Sequence, residues 1–230
     1  MSVDLGNKYD STLIQSGTRN QVMRNTYWLL ALSMLPTVLG AWLGVQMKFA
    51  LLPGSPLIGF IVCMAIFYGF IYAIERTKNS ALGVAFLLGL TFFLGLLMSR
   101  LIAYTLGFSN GGALIMTAFA GTGSIFAVMA TVATVSKRDF SGMGQWLGVG
   151  MLVMLVAAVA NIFLQLPALH LVLLVMILAI SSAFLLYNVQ QVINGGETNY
   201  IIATLSIYIN LYNIFTTLLQ LLGIFGGDRD

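Results

Sequence analysis

Charge is what this chain has least of. Its 230 residues include ten Lys and Arg, seven Asp and Glu, one His, one Cys and four Pro. With 59% hydrophobic residues and a mean hydropathy of +0.96, the polar surface is too small to coat a soluble domain. A lone Cys63 can close no internal disulfide and is expected to pack mid-span. A lone His170, at the edge of an apolar stretch, is expected to be an interfacial side chain and leaves no histidine-based zinc set such as H-E-x-x-H. No apolar stretch holds an Asp, Glu, Lys, Arg or His, so paired carboxylates for acid-base work are missing too. Gly121-Thr122-Gly123-Ser124 resembles a serine-hydrolase turn only loosely, since no glycine follows the serine and no base lies in a span. A net charge of +3, with basic residues spread thinly, offers no dense patch for nucleic acid. These absences point away from an enzyme, and no cofactor or metal is implied.

What is present is a set of seven apolar stretches: Tyr27 to Gln46, Leu57 to Ile74, Ala81 to Met98, Ala113 to Val135, Trp146 to Leu164, Leu171 to Val189 and Tyr200 to Gly223. About 20 helical residues cross the hydrocarbon core, so each stretch is a candidate span. The fold class is all-α: a polytopic membrane bundle of seven transmembrane helices, with short links that make neighbours antiparallel. Residues 1–26, polar and short of apolar area, are expected to form a flexible cytoplasmic tail. Residues 27–223 form the seven-span domain and 224–230 a short carboxyl-terminal tail. The amino-terminal tail lacks the apolar core of a signal peptide, so the first span is expected to serve as the insertion signal.

Orientation follows from the basic residues. With the amino terminus cytoplasmic, that side holds Lys8, Arg19, Arg24, Arg76, Lys78, Lys137 and Arg138, against Lys48, Arg100 and Arg229 opposite. Seven spans then put the carboxyl terminus outside. Tyr27, Trp28, Trp146 and Tyr200 begin spans, where amphipathic rings suit the headgroup layer. Small residues four apart, Gly40 with Gly44, Gly123 with Ala127 and Gly144 with Gly148, predict close helix packing, and Pro36 predicts a kink in span one.

The polar residues inside spans are the candidate site. In span seven, Ser206, Asn210, Asn213, Thr217 and Gln220 recur at steps of four and three and share one helical stripe. Ser181, Asn188 and Gln191 repeat the pattern in span six, and Asn161 ends span five. Such a stripe is expected to converge inside the bundle, either as interhelical hydrogen bonds of about 0.6 kcal/mol each or as a polar ion path. Calcium prefers about 6 to 8 oxygen ligands with several carboxylates, whereas Asn188 and Asn210 offer neutral carbonyls that cannot titrate near pH 7. Glu75 and Arg76, ending span two, are expected to anchor at headgroups, with a gate contact to the stripe as the alternative.

Three strings carry a resemblance: Asn161-Ile162-Phe163-Leu164-Gln165-Leu166-Pro167-Ala168-Leu169-His170-Leu171, Gly195-Gly196-Glu197-Thr198-Asn199-Tyr200-Ile201, and Ile207-Tyr208-Ile209-Asn210-Leu211-Tyr212-Asn213-Ile214-Phe215. Together with Arg24-Asn25-Thr26-Tyr27, they make the chain resemble bacterial inner-membrane members of the Bax inhibitor-1 family over essentially its whole length. The resemblance implies six helices around a central seventh. It also implies a bacterial inner-membrane location, with the carboxyl terminus periplasmic. The implied partner is the membrane-anchored ATP-dependent protease FtsH, for which the chain would be substrate and modulator. The amino-terminal tail, with Lys8, Asp10 and Arg19, would be the handle, reaching up to roughly 85 Å if extended. The alternative that the resemblance implies is a calcium leak or other cation transporter controlled by two facing aspartates on the last two spans. Those positions are Asn188 and Asn210 here, so a leak of that type has lost its proton switch.

Overall fold

The computed structural model describes the backbone of residues 3–49 and 56–228 and the side chains of residues 19–49 and 58–228. Its elements are α1 (Val3–Gln46), α2 (Pro56–Thr77), α3 (Ala81–Leu106), α4 (Gly111–Val135), α5 (Met143–Leu164), α6 (Pro167–Asn194) and α7 (Tyr200–Gly226). All seven are long and apolar enough to cross a membrane. At 27 residues, α7 is an unbroken helix of about 40 Å, more than the hydrocarbon thickness. Its polar residues therefore ride on a complete span.

The seventh helix is central. Of its most apolar window 56% is buried, against 6% for α2 and for α5. It packs on α1, α2, α3, α4 and α6, while α5 leans on α6. The ring expected around α7 is thus made by five helices, with α5 displaced outward. The core that results is apolar: Ile74, Leu87, Leu90, Leu185, Ile201, Ile207, Tyr208 and Ile214 are each at most 2% exposed. In lipid, where no hydrophobic force separates Leu from its surroundings, such tight side-chain contact is what holds helices together.

The closest backbone approach is α1 on α3, and glycine makes it. A Cβ on Gly40 would overlap the Phe92 carbonyl, and one on Gly95 the Thr37 carbonyl. Gly44 meets the Ser99 side chain in the same way. The Gly40 and Gly44 spacing therefore does mark a packing face, and Gly95 with Ser99, four residues on, completes it from α3. Gly144 packs against the Tyr187 ring, but Gly123 and Gly148 face open space. Pro36 sits inside α1 without interrupting it.

One expectation about the amino terminus needs correction. The composition of residues 1–26 predicts a segment without order, yet α1 begins at Val3, and Val22 and Thr26 are buried at 9% and 1% exposure. The segment is polar, but Val22 and Thr26 are one helical turn apart and both find buried partners on α6 and α7. Composition alone cannot register such a pair. The side chains of Lys8 and Asp10 lie outside the described ones. At the other end α7 continues to Gly226, three residues beyond the expected Gly223.

Candidate functional site

The candidate site lies where α6 ends and α7 begins. Gly195, at a φ of 77°, takes the left-handed conformation that closes α6, a position an L side chain resists. The next two amides, of Gly196 and Glu197, donate to the Gln191 carbonyl at 2.8 and 3.1 Å, so the loop folds back over the helix. Glu197 Oε1 then accepts from the Asn199 amide at 2.7 Å. Asn199 caps α7, its Oδ1 accepting from the Ile201 and Ile202 amides at 3.0 and 3.2 Å.

This fold-back borders a half-open cavity of about 140 Å³, lined from α6 by Tyr187, Asn188, Gln191 and Val192, from the loop by Gly196 and Glu197, and from α7 by Ala203 and Ser206. The volume suits a few waters or one small polar ligand. Its lining is a phenol, two amides, a hydroxyl and one carboxylate. Of the predicted residues, the structure brings Asn188 and Ser206 together here. Gln191, from the same span-six pattern, lines it too, Tyr187 and Glu197 join them, and Glu197 supplies the only charge in the lining.

Asn210 is 5% exposed and lies one turn below, where its Nδ2 donates to the Ser206 carbonyl at 2.7 Å. Gln220 likewise bonds its own helix, at the Thr216 carbonyl. Asn213 is half-buried and Thr217 buried. The hydrogen bonds that cross between helices use other residues: the Thr37 and Tyr208 hydroxyls at 2.6 Å, Tyr212 to the Leu94 carbonyl at 3.2 Å, and Thr204 to the Thr26 carbonyl at 3.3 Å. Aromatic hydroxyls thus carry much of the interhelical polarity that the sequence pattern assigned to amides.

Asn161 does not belong to this group. Its Oδ1 accepts from the Leu166 amide at 3.1 Å in the tight α5–α6 turn, where Gln165 adopts a left-handed φ of 49°. It is a turn residue at the end of the bundle away from the cavity. The alternative for Arg76, a gate contact, is not among its hydrogen bonds or ring contacts with the described residues. Arg76 Nε donates to the Tyr72 hydroxyl at 3.1 Å and its guanidinium lies 5.2 Å over the Tyr72 ring, both on its own helix. Glu75 pairs with Lys78 at 2.5 Å, and that hydrogen bond and charge, with a smaller contribution from Glu197, raise the Lys78 pKa.

Two amides fasten the neighbouring loops to the same end. Asn199 Nδ2 donates to the Lys78 carbonyl and to Asn79 Oδ1, at 2.9 and 3.0 Å. The buried Gln190 accepts from the Phe140 amide and donates to the Arg138 carbonyl, each at 2.7 Å. Loops α2–α3, α4–α5 and α6–α7 therefore form one tied surface. Trp28 and Trp146, 73% and 81% exposed, flank it at the starts of their spans.

No catalytic constellation forms among the described residues. Ser206 lies two turns into α7, whereas His170 begins α6, 18 residues and about 27 Å along the axis from Asn188. Ser124, from the hydrolase-like turn, donates to its own Ala120 carbonyl and faces outward. Among the described residues no three His, Cys, Asp or Glu side chains gather as a metal site.

Residues 19–227 match the family model described as Inhibitor of apoptosis-promoting Bax1. The chain belongs to the Bax inhibitor-1 family. A relative from Escherichia coli K12, named as the modulator of FtsH protease YccA, is 36% identical over 224 residues, covering 97% of this chain and 98% of its own. A protein of Neisseria meningitidis serogroup A, named as uncharacterized, is 37% identical over 96% of this chain and 97% of its own. One from Pseudomonas aeruginosa, also uncharacterized, is 36% identical over 90% of each. Family membership accords with the seven helices and with the central position of α7.

Proposed function

We propose that this protein is a non-enzymatic, multi-pass protein of a bacterial inner membrane that binds a membrane-anchored ATP-dependent protease of the FtsH type and modulates its action on other membrane substrates. The observation that carries this reading is the full-length similarity to the Escherichia coli protein named as a modulator of that protease. The lack of an acid, base or metal set among the described residues supports a binding role over a catalytic one. The amino terminus would face the cytoplasm, since Arg19, Arg24, Arg76, Lys78, Lys137 and Arg138 gather at the cavity end of the bundle, and Lys48 and Arg100 at the other. The start of α1, with Lys8 and Asp10, is the segment a protease would grip.

The test is co-purification from membranes. The full chain is expected to retain the protease, and a chain lacking residues 2–18 to lose it while staying inserted. Equal recovery from both would contradict the reading.

A second reading, passage of a weakly held cation, draws on the polar lining of Asn188, Ser206 and Glu197. One carboxylate falls short of what calcium normally requires. Under this reading purified protein in liposomes passes cations and Asn210→Leu stops the flux. Flux no greater than in empty liposomes would remove it.

A further inference from the structure

The first packed turns of α1 stand directly behind the wall of the α6–α7 cavity. Val22 forms a small buried cluster with Val192 and Ala203, and both of these partners also line the cavity. One turn later, the Thr26 carbonyl lies 3.3 Å from the Thr204 hydroxyl, which donates chiefly to the Tyr200 carbonyl at 2.7 Å, and the neighbour of Thr204, Ala203, is again a lining residue. At the start of the segment, the aliphatic stem of Arg19 comes near Gly195, close enough that a side chain added there would just reach it. The outward side is free: Asn20, Gln21 and Arg24 are exposed.

We propose that residues 19–26 of α1 are a detachable strap that keeps the α6–α7 cavity narrow, so that a pull on the amino terminus opens the cavity and a ligand filling the cavity holds the strap down. The segment has the build of a strap because its attachment is slight beside that of the later turns of α1. It is held by the small cluster of Val22 with Val192 and Ala203, against which Met23 and Tyr200 pack half-buried, and by the 3.3 Å approach of the Thr204 hydroxyl to the Thr26 carbonyl. From residue 29 onward the same helix is fixed by Leu29 and Leu30 in the main core, by the 2.6 Å contact of Thr37 with Tyr208, and by glycine-mediated packing on α3. A force applied from the amino terminus therefore releases residues 19–26 first and meets its main resistance at Leu29. Release uncovers Val192 and Ala203 and removes their backing. By linkage, any occupant that binds better with the strap closed raises the resistance of the strap to release. This regulation rests on the reading that a protease grips the amino terminus, but the coupling of strap to cavity does not.

The test uses the full chain in membrane vesicles that contain no protease. In a Cys63→Ser background, Ser206→Cys reports cavity access through its rate of reaction with a small cationic methanethiosulfonate. Releasing the strap with Val22→Asp is expected to raise that rate at least fivefold. Val22→Ala, which only shrinks the contact and covers the case in which the acidic residue disturbs insertion, is expected to raise it two- to threefold. Arg24→Ala, on the exposed side, is expected to leave it unchanged. Rates within experimental error of the reporter alone in both Val22 variants would overturn the proposal. A failed pull-down of protease would leave the labelling result standing, so the two readings fail separately.

Discussion

The Tyr208 hydroxyl lies 2.6 Å from the Thr37 hydroxyl in the buried seam between α7 and α1. Thr37 already donates to the Ser33 carbonyl at 2.8 Å, so Tyr208 is the donor of the pair. The two ends of this bond are consequently unequal. Tyr208→Phe removes a donor and leaves Thr37 satisfied, which is expected to cost about 0.5–1.5 kcal/mol. Thr37→Val leaves the phenol proton buried without an acceptor, which is expected to cost about 1–3 kcal/mol. Unfolding in mixed micelles, followed by circular dichroism, should rank Thr37→Val below Tyr208→Phe.

Glycine substitutions separate packing from helix propensity. Gly95→Ala drives a methyl into the Thr37 carbonyl, and the Ala41 amide 3.0 Å away is also backbone that cannot rotate aside. The expected loss is about 1–3 kcal/mol or more. Gly123→Ala meets nothing within 4 Å and is expected to change stability by no more than about 1 kcal/mol, on the favourable side. Thermal denaturation in detergent measures both. A Gly95→Ala protein as stable as the parent would refute the close α1–α3 approach.

Asn199 has two separable tasks. Its oxygen caps α7, and its nitrogen ties down the α2–α3 loop. Asn199→Ala loses both and is expected to cost about 0.5–2 kcal/mol for the cap alone. Asn199→Asp keeps the acceptor and loses the donor. Hydrogen exchange followed by mass spectrometry should show faster exchange at residues 201–202 in Asn199→Ala only, and faster exchange over residues 78–83 in both.

The architecture was legible because the signal is a solubility argument applied over and over. Seven chargeless stretches long enough to cross a bilayer became seven helices, and the stripe through Ser206, Asn210 and Thr217 marked the helix that must be shielded. Local chemistry was less legible for a specific reason. Asn161, an amide at the end of span five, is grouped with the polar stripe by sequence, but its use is set by the α5–α6 turn, where its oxygen accepts from the Leu166 amide five residues later. Glu197 was missed because it lies in a loop. Its signal was the pair Gly195-Gly196, the first of which takes the left-handed turn that folds the loop back and puts Glu197 in the same cavity lining as Asn188. The burial of Val22 depended on partners 170 residues and more away, Val192 on α6 and Ala203 on α7, beyond the reach of any local pattern. The resemblance implied the central place of α7, to which the stripe had already pointed, and the 56% burial of its apolar window agrees with both.

The most direct test of the proposed role is the degradation rate of a third membrane protein by the membrane-anchored protease, reconstituted in liposomes with and without this chain. An equimolar amount of the full chain is expected to slow that degradation severalfold, and the chain lacking residues 2–18 to leave it unchanged. A rate unaffected by the full chain, with both proteins shown to be inserted in the same bilayer, would contradict the account.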